Sequence, residues 1–165
     1  MKNLHSKDNK EVSEALDRAE KNGTIAWVEP LLEAFSSRDE DALKSRMRIL
    51  LSSVKLSAAE DVFLEFLQKE NKEHVYADVL SFLWSSGFTA SNSIDVVVRC
   101  STSGDFRAAM EGLTIVEQCD VIENEQTLLD AIFSLRSALN EKEKSDCHSL
   151  YEPMLKKLEY IERNQ

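Results

Sequence analysis

One apolar spacing recurs along the chain and constrains its fold more than any other feature. An apolar residue is followed by a second four positions on and a third three after that. The triples are Leu43-Met47-Leu50, Val75-Val79-Phe82, Phe106-Met110-Leu113 and Cys147-Tyr151-Met154, and their starts lie 32, 31 and 41 residues apart. Residues spaced by four and three share one face of an α-helix, whereas a strand would need a period of two. The 165 residues include only 4 Gly and 2 Pro. That is too few for the corners of a many-stranded sandwich. The expectation is an all-α chain.

The remaining segments agree with helix. Val12, Leu16 and Ala19 form a stripe that stops at Gly23, where a left-handed helix end is expected. Val28, Leu31, Leu32 and Phe35 make the next face, and Pro30 either opens that helix or kinks it. Asp39 is placed to cap the helix carrying Leu43 to Val54. Ser57 and Glu60 have capping-box spacing ahead of Val62, Phe63, Phe66 and Leu67. A staple of Phe88 on Ile94 around a Thr89 cap is expected next. Val96, Val97 and Val98 read locally as strand, but no second strand exists to pair with them, so helix is expected there too. Ser103 is placed to cap the helix carrying Phe106, Met110 and Leu113 inward. Leu128 or Leu129, Ile132, Phe133 and Leu135 face the core of the next. The last helix is expected from about Glu143, bent or split at Pro153.

These nine helices read as an N-terminal capping helix over residues 1–23 and four pairs over 24–56, 57–88, 89–121 and 122–163. Phe35, Leu67, Val98 and Phe133 stand near the end of the first helix of each pair, 32, 31 and 35 apart. Asp41, Glu73, Asp105 and Asp146 precede the second helices. Such a period marks a helical solenoid, in which no pair can bury its own apolar face and neighbours share one core. An irregular bundle is the alternative, because any amphipathic helix shows this spacing. The segments VEPLLEAF, DALKSRMRILL and GDFRAAMEGL carry a resemblance: Asp105, Phe106, Arg107, Ala109 and Leu113 match part of a pattern of Asp, apolar, Arg, small and Leu. In this the chain resembles the HEAT-like repeat family of α-α superhelical proteins over residues 25–160. The departures are Met47 and Val79 at the small position, and Lys44 and Tyr76 at the basic one. The resemblance implies a right-handed superhelix whose second helices line a concave partner-binding side. The residues it points to are Arg46, Arg48, Tyr76, Asp78, Arg107, Glu111 and Glu152. Trp84, next to Leu83 and close to Phe88, reads as a half-exposed aromatic anchor paired with Phe88, and packing at a solenoid end or between helices is the alternative for it and for Trp27 alike.

Charge narrows the partner. The formal net charge is −10, and residues 57–130 hold all of it: 14 acidic side chains against Lys69, Lys72, Arg99 and Arg107. That stretch repels nucleic-acid phosphate and anionic membranes and attracts a basic protein. An acidic surface also serves solubility alone.

Nothing in the sequence builds a reactive centre. His5, His74 and His148 share no metal-ligand spacing, and Cys147 and His148, being adjacent, point about 100° apart on a helix. No phosphate loop, HExxH or GxSxG is present. Cys100, Cys119 and Cys147 are an odd set without paired spacing and read as reduced, buried thiols of a cytoplasmic protein. The expectation is a non-enzymatic protein-binding module without cofactor or metal, its partner a protein, basic by charge, rather than nucleic acid or membrane. Two alternatives stay open: an immunity- or inhibitor-type protein that neutralises a basic toxin, and an accessory subunit or enzyme with an acidic pocket.

Overall fold

The structure, a computed structural model, describes residues 3–141 and 146–165. Among the described residues there are nine α-helices and no strand. They are α1 (Asn9–Asn22), α2 (Val28–Ser37), α3 (Ala42–Ser52), α4 (Ala59–Leu67), α5 (Tyr76–Ser85), α6 (Ile94–Ser103), α7 (Phe106–Gln118), α8 (Glu125–Leu139) and α9 (His148–Asn164). The expected start of the last helix, near Glu143, lies outside the described residues. Three short 3-10 turns, Ile25–Trp27, Glu73–Val75 and Ser91–Ser93, lead directly into α2, α5 and α6.

The helices pack in two layers. The odd-numbered ones run side by side, α1 on α3, α3 on α5, α5 on α7 and α7 on α9, while α2 packs on α4, α4 on α6 and α6 on α8. The two layers meet through neighbours in sequence, α2 with α3, α4 with α5, α6 with α7 and α8 with α9. Phe35 of α2, Phe63 of α4 and Phe82 of α5 join across the layers; the Phe35 ring meets Phe82 edge-on at 5.3 Å. Helix α6 has neighbours in both layers. Val96, Val97 and Val98 are therefore all buried, and the strand-like run is a helix whose wide apolar face leaves only the side of Asp95, Arg99 and Ser103 toward solvent.

Four side chains cap helix starts: Asp8 accepts from Lys10 N at 2.8 Å, Asp41 from Lys44 N at 2.7 Å, Asp105 from Ala108 N at 2.8 Å, and Asn124 from Gln126 N at 3.1 Å. The caps of α3 and α7 are thus Asp41 and Asp105, each two residues beyond the expected Asp39 and Ser103. Ser57 and Glu60 form no capping box, because α4 begins at Ala59 without a side-chain cap. The Glu60 carboxylate instead accepts from Ala90 N at 2.7 Å, at a residue held left-handed with φ +51°. Ile94 opens α6 without a Thr89 cap, and Phe88 packs on Phe63 at 6.1 Å. Gly23 is extended (φ −62°, ψ 130°) rather than left-handed. Gly87, at φ +85°, ends α5: its N–H reaches Trp84 O and that of Phe88 reaches Leu83 O, both at 3.0 Å, the paired bonds of a Schellman turn. Pro30 lies in the first turn of α2, and Pro153 sits inside α9, which continues unbroken through it.

The expected core register holds in the second triple and the fourth, and fails in the third. Phe106 and Met110 are 47% and 48% exposed. Helix α7 buries Ala108, Ala109, Gly112, Ile115 and Val116 instead. Gly112 meets Ser101 of α6 so closely that an added Cβ would overlap the Ser101 hydroxyl. This close approach rotates α7 onto its small residues and turns Phe106 and Met110 outward. In α8, Leu128, Ala131, Ile132 and Leu135 are buried, and Phe133 is 74% exposed.

Candidate functional site

Helices α1, α3, α5 and α7 are tied to one another by a ladder of side chains. Arg46 of α3 reaches Asp17 at 2.5 Å and Glu20 at 2.8 Å, both on α1. Arg48, on the opposite flank of α3, holds Glu40 through two bonds of 2.9 and 3.0 Å and lies over the Phe35 ring at 5.3 Å. Its Nε also faces Asp78 of α5 at 3.5 Å. Arg107 of α7 donates to the same Asp78 oxygen at 2.9 Å. One step further along α7, Glu111 accepts from the Trp84 indole at 2.6 Å and faces Arg107 at 3.7 Å.

The sequence thus points to Arg46, Arg48, Asp78, Trp84, Arg107 and Glu111, and the structure brings all six into this ladder, although Asp78 is buried at 8% exposure and acts as an internal partner of the two guanidiniums rather than as surface. Tyr76 is a correction. It is 4% exposed, packed at the start of α5 near Gly104, so it belongs to the core and not to the surface. Burial raises its hydroxyl pKa. Glu152 is exposed on α9 and stands outside the ladder. Trp84 and Phe88 are both half-buried, but they do not pair: the indole turns to Glu111 and the Phe88 ring to Phe63. Sequence reading missed Asp17, Glu20 and Glu40. A signal existed for the two on α1, since the bonds from Arg46 span 29 residues to Asp17 and 26 to Glu20, close to the apolar period, whereas Glu40 lies only 8 residues from Arg48 and has no such signal.

The ladder's charges perturb one another. The hydrogen bond from Arg46 holds the Glu20 carboxyl below its usual range, and the bonds from Arg48 do the same for Glu40. Arg46 is raised by its bonds to Glu20 and Asp17. All of these groups are charged at neutral pH. Five carboxylates (Asp17, Glu20, Glu40, Asp78, Glu111) surround three guanidiniums (Arg46, Arg48, Arg107), so the ladder keeps an acidic excess. Beside it stand the exposed apolar side chains Ile49 on α3, at 69%, and Phe106 and Met110 on α7.

A second feature adjoins the ladder's α1 end. A cleft of about 220 Å³ opens between α1, α2 and α3, lined by Trp27, Leu31, Leu50, Val54 and Leu56, with Glu20 as its one carboxylate. It is an apolar cleft, not a gathering of acids. Trp27 is half-buried on its wall. Among the described residues no group of three or more His, Cys, Asp or Glu is placed to hold a metal ion, and no helix is long and apolar enough to cross a membrane. Burial pushes the Cys100 and Cys119 thiols up to about 11, which keeps them protonated and poorly nucleophilic at neutral pH.

Comparison with protein-family models, with curated proteins and with solved structures finds no match to this chain.

Proposed function

We propose that this chain is a non-enzymatic protein-binding module, a stack of HEAT-like helical pairs that receives a basic protein partner along the face of its odd-numbered helices. The observation that carries the reading is the ladder itself. Three helices, α3, α5 and α7, deliver six of the expected partner residues to one ladder that α1 completes with Asp17 and Glu20, with an acidic excess, and α3 and α7 also carry exposed Ile49, Phe106 and Met110.

The stacked-pair reading draws support from the spacing of the tertiary hydrogen bonds. Beyond the ladder, Ala90 to Glu60 spans 30 residues, Cys119 to Thr89 spans 30, Arg99 to Leu67 spans 32 and Cys100 to Leu67 spans 33. Bonds between equivalent positions of adjacent repeats have this property, because each repeat touches chiefly its neighbours. Buried free thiols fit a reducing compartment such as the cytosol.

In this reading the ladder's salt bridges orient the surface and the apolar side chains supply affinity. Ion pairs already satisfied within a chain give a partner little further energy, while a desolvated aromatic or Met anchor gives most of it. The excess acidity speeds encounter with a basic partner.

The test is capture of partners from native lysate by the immobilised chain, with identification by mass spectrometry. Three forms are compared: wild type, the face variant Ile49→Asp with Met110→Asp, and the control Asp61→Lys on α4. The reading expects a basic protein lost at least tenfold by the face variant, kept by the control and released by raised salt. A partner that is acidic, or held equally by the face variant, overturns it. Capture of a basic nuclease would narrow the reading to toxin neutralisation.

A further inference from the structure

Sulfur is placed unevenly in this chain. Among the described residues it is carried by Cys100, Cys119, Cys147, Met47, Met110 and Met154. Met47 and Met154 are fully buried, and the three thiols are buried as well. Met110 alone among them stands open to water, at 48% exposure. A reagent in solution that attacks sulfur therefore meets one side chain before all the others.

The position of that side chain gives its exposure a consequence. Helix α7 packs through Ala108, Ala109 and Gly112, and the close approach of Gly112 to Ser101 turns Met110 to the opposite side of the helix. There it extends the apolar strip that exposed Phe106 begins one turn earlier. It lies three positions after Arg107 and next to Glu111, both members of the ladder. The one accessible sulfur thus stands among the contact residues of the odd-numbered helices.

We propose that Met110 is an oxidation site that weakens the partner surface: a hydroperoxide converts its thioether to the sulfoxide, and the surface loses an apolar anchor. This inference rests on the binding role proposed above for that surface. With hydrogen peroxide, a sulfur lone pair attacks one peroxide oxygen and the O–O bond breaks. The departing hydroxide takes the proton of the transferred hydroxyl and leaves as water. Sulfur gives up an electron pair and the peroxide accepts it. The product is polar, so a partner that covers it must strip water from the S–O group. The helix tolerates the change, because Met110 is no part of the buried side of α7. Methionine sulfoxide reductase with a thiol reductant restores the thioether, which makes the change reversible.

Peroxide treatment of the native chain, followed by peptide mapping, reads the modification. One added oxygen is expected on Met110, with Met47 and Met154 unmodified until urea is added; Met1, outside the described residues, is read on its own peptide. The binding probe is a dye-labelled amphipathic helix of Leu and Lys, which offers the surface both cations and apolar contacts, followed by fluorescence anisotropy. Peroxide-treated wild type is expected to bind it about tenfold more weakly, with an unchanged circular dichroism spectrum, and to recover after reductase treatment. Met110→Gln, which sets an amide oxygen near the place of the sulfoxide oxygen, is expected to bind as weakly without peroxide. Met110→Leu is compared only with itself, and peroxide is expected to leave its binding unchanged. Native oxidation of Met47 or Met154 as fast as Met110 overturns the inference. So does wild-type binding that survives peroxide, and so does a Met110→Leu protein that loses binding on treatment; each of these leaves the surface reading standing. Untreated wild type that fails to bind the peptide overturns the surface reading and this inference with it.

Discussion

Gly112→Ala is a severe test of the packing between α6 and α7. Alanine is the better helix former by about 1 kcal/mol, so on an exposed helix this change would stabilise. Here the new Cβ would fall on the Ser101 hydroxyl, and within 2.9 Å of the Ser101 Cβ. Ser101 is fully buried and donates to Val97 O at 2.8 Å, while its own carbonyl accepts from Tyr151 OH at 3.3 Å. It has nowhere to move without breaking a buried bond. Overpacking of this kind costs about 1–3 kcal/mol and an orphaned hydroxyl about 1–3 more. After subtracting the helix-propensity gain, a net loss of about 1–5 kcal/mol is expected. At this chain length that lowers the thermal midpoint by roughly 2–4 °C per kcal/mol. The decisive measurement is a double-mutant cycle with Ser101→Gly, which moves the small residue from α7 to α6 and removes the overlap. Urea unfolding of the four proteins is expected to give a coupling of about 1–3 kcal/mol in favour of the double variant. Additivity within about 0.5 kcal/mol, or a stabilised Gly112→Ala, would refute the account of why α7 turns Phe106 and Met110 outward.

Two further outcomes follow from charge and burial. Glu20 has a carboxyl pKa held below its unfolded value by Arg46, so its contribution is present above the unfolded pKa and is lost as pH falls through the lower folded one. Arg46→Gln should therefore lower the thermal midpoint at pH 7, with the gap to wild type closing as pH falls below about 4.3, the unfolded value for Glu; a gap that persists at pH 3 would contradict the pairing. Cys100 and Cys119, buried and with pKa values near 11, should fail to react with a disulfide reagent at pH 8 in the native protein and react promptly in urea; rapid native reaction at either would show that burial to be wrong.

The helical class was legible because amphipathic spacing records burial on one side, and α2, α4 and α5 obey it. Legibility failed where neighbours approach on small residues. In α7 the eye follows Phe106 and Met110, yet the buried side is Ala108, Ala109 and Gly112, whose apolar signal is weak and whose value lies in letting another helix come close. The same holds for α8, where Ala131 and Leu135 are inward and the larger Phe133 is outward. Caps were displaced for a related reason. Ser103 and Asp39 are as suitable chemically as Asp105 and Asp41, and the choice is made by where the preceding helix ends against its neighbours. The ladder was half legible: helix-face position identified Arg46, Arg48, Asp78, Arg107 and Glu111, but Tyr76, the first residue of α5, packs beside Gly104 and is buried.

On the odd-numbered helices every guanidinium of the ladder is already matched by a carboxylate of the same chain, so a partner must compete with an intact internal pair or add its own cations to the excess acids. This arrangement favours discrimination, because a partner with acids in the wrong place meets the fixed, exposed carboxylates of Asp17, Glu20 and Glu40.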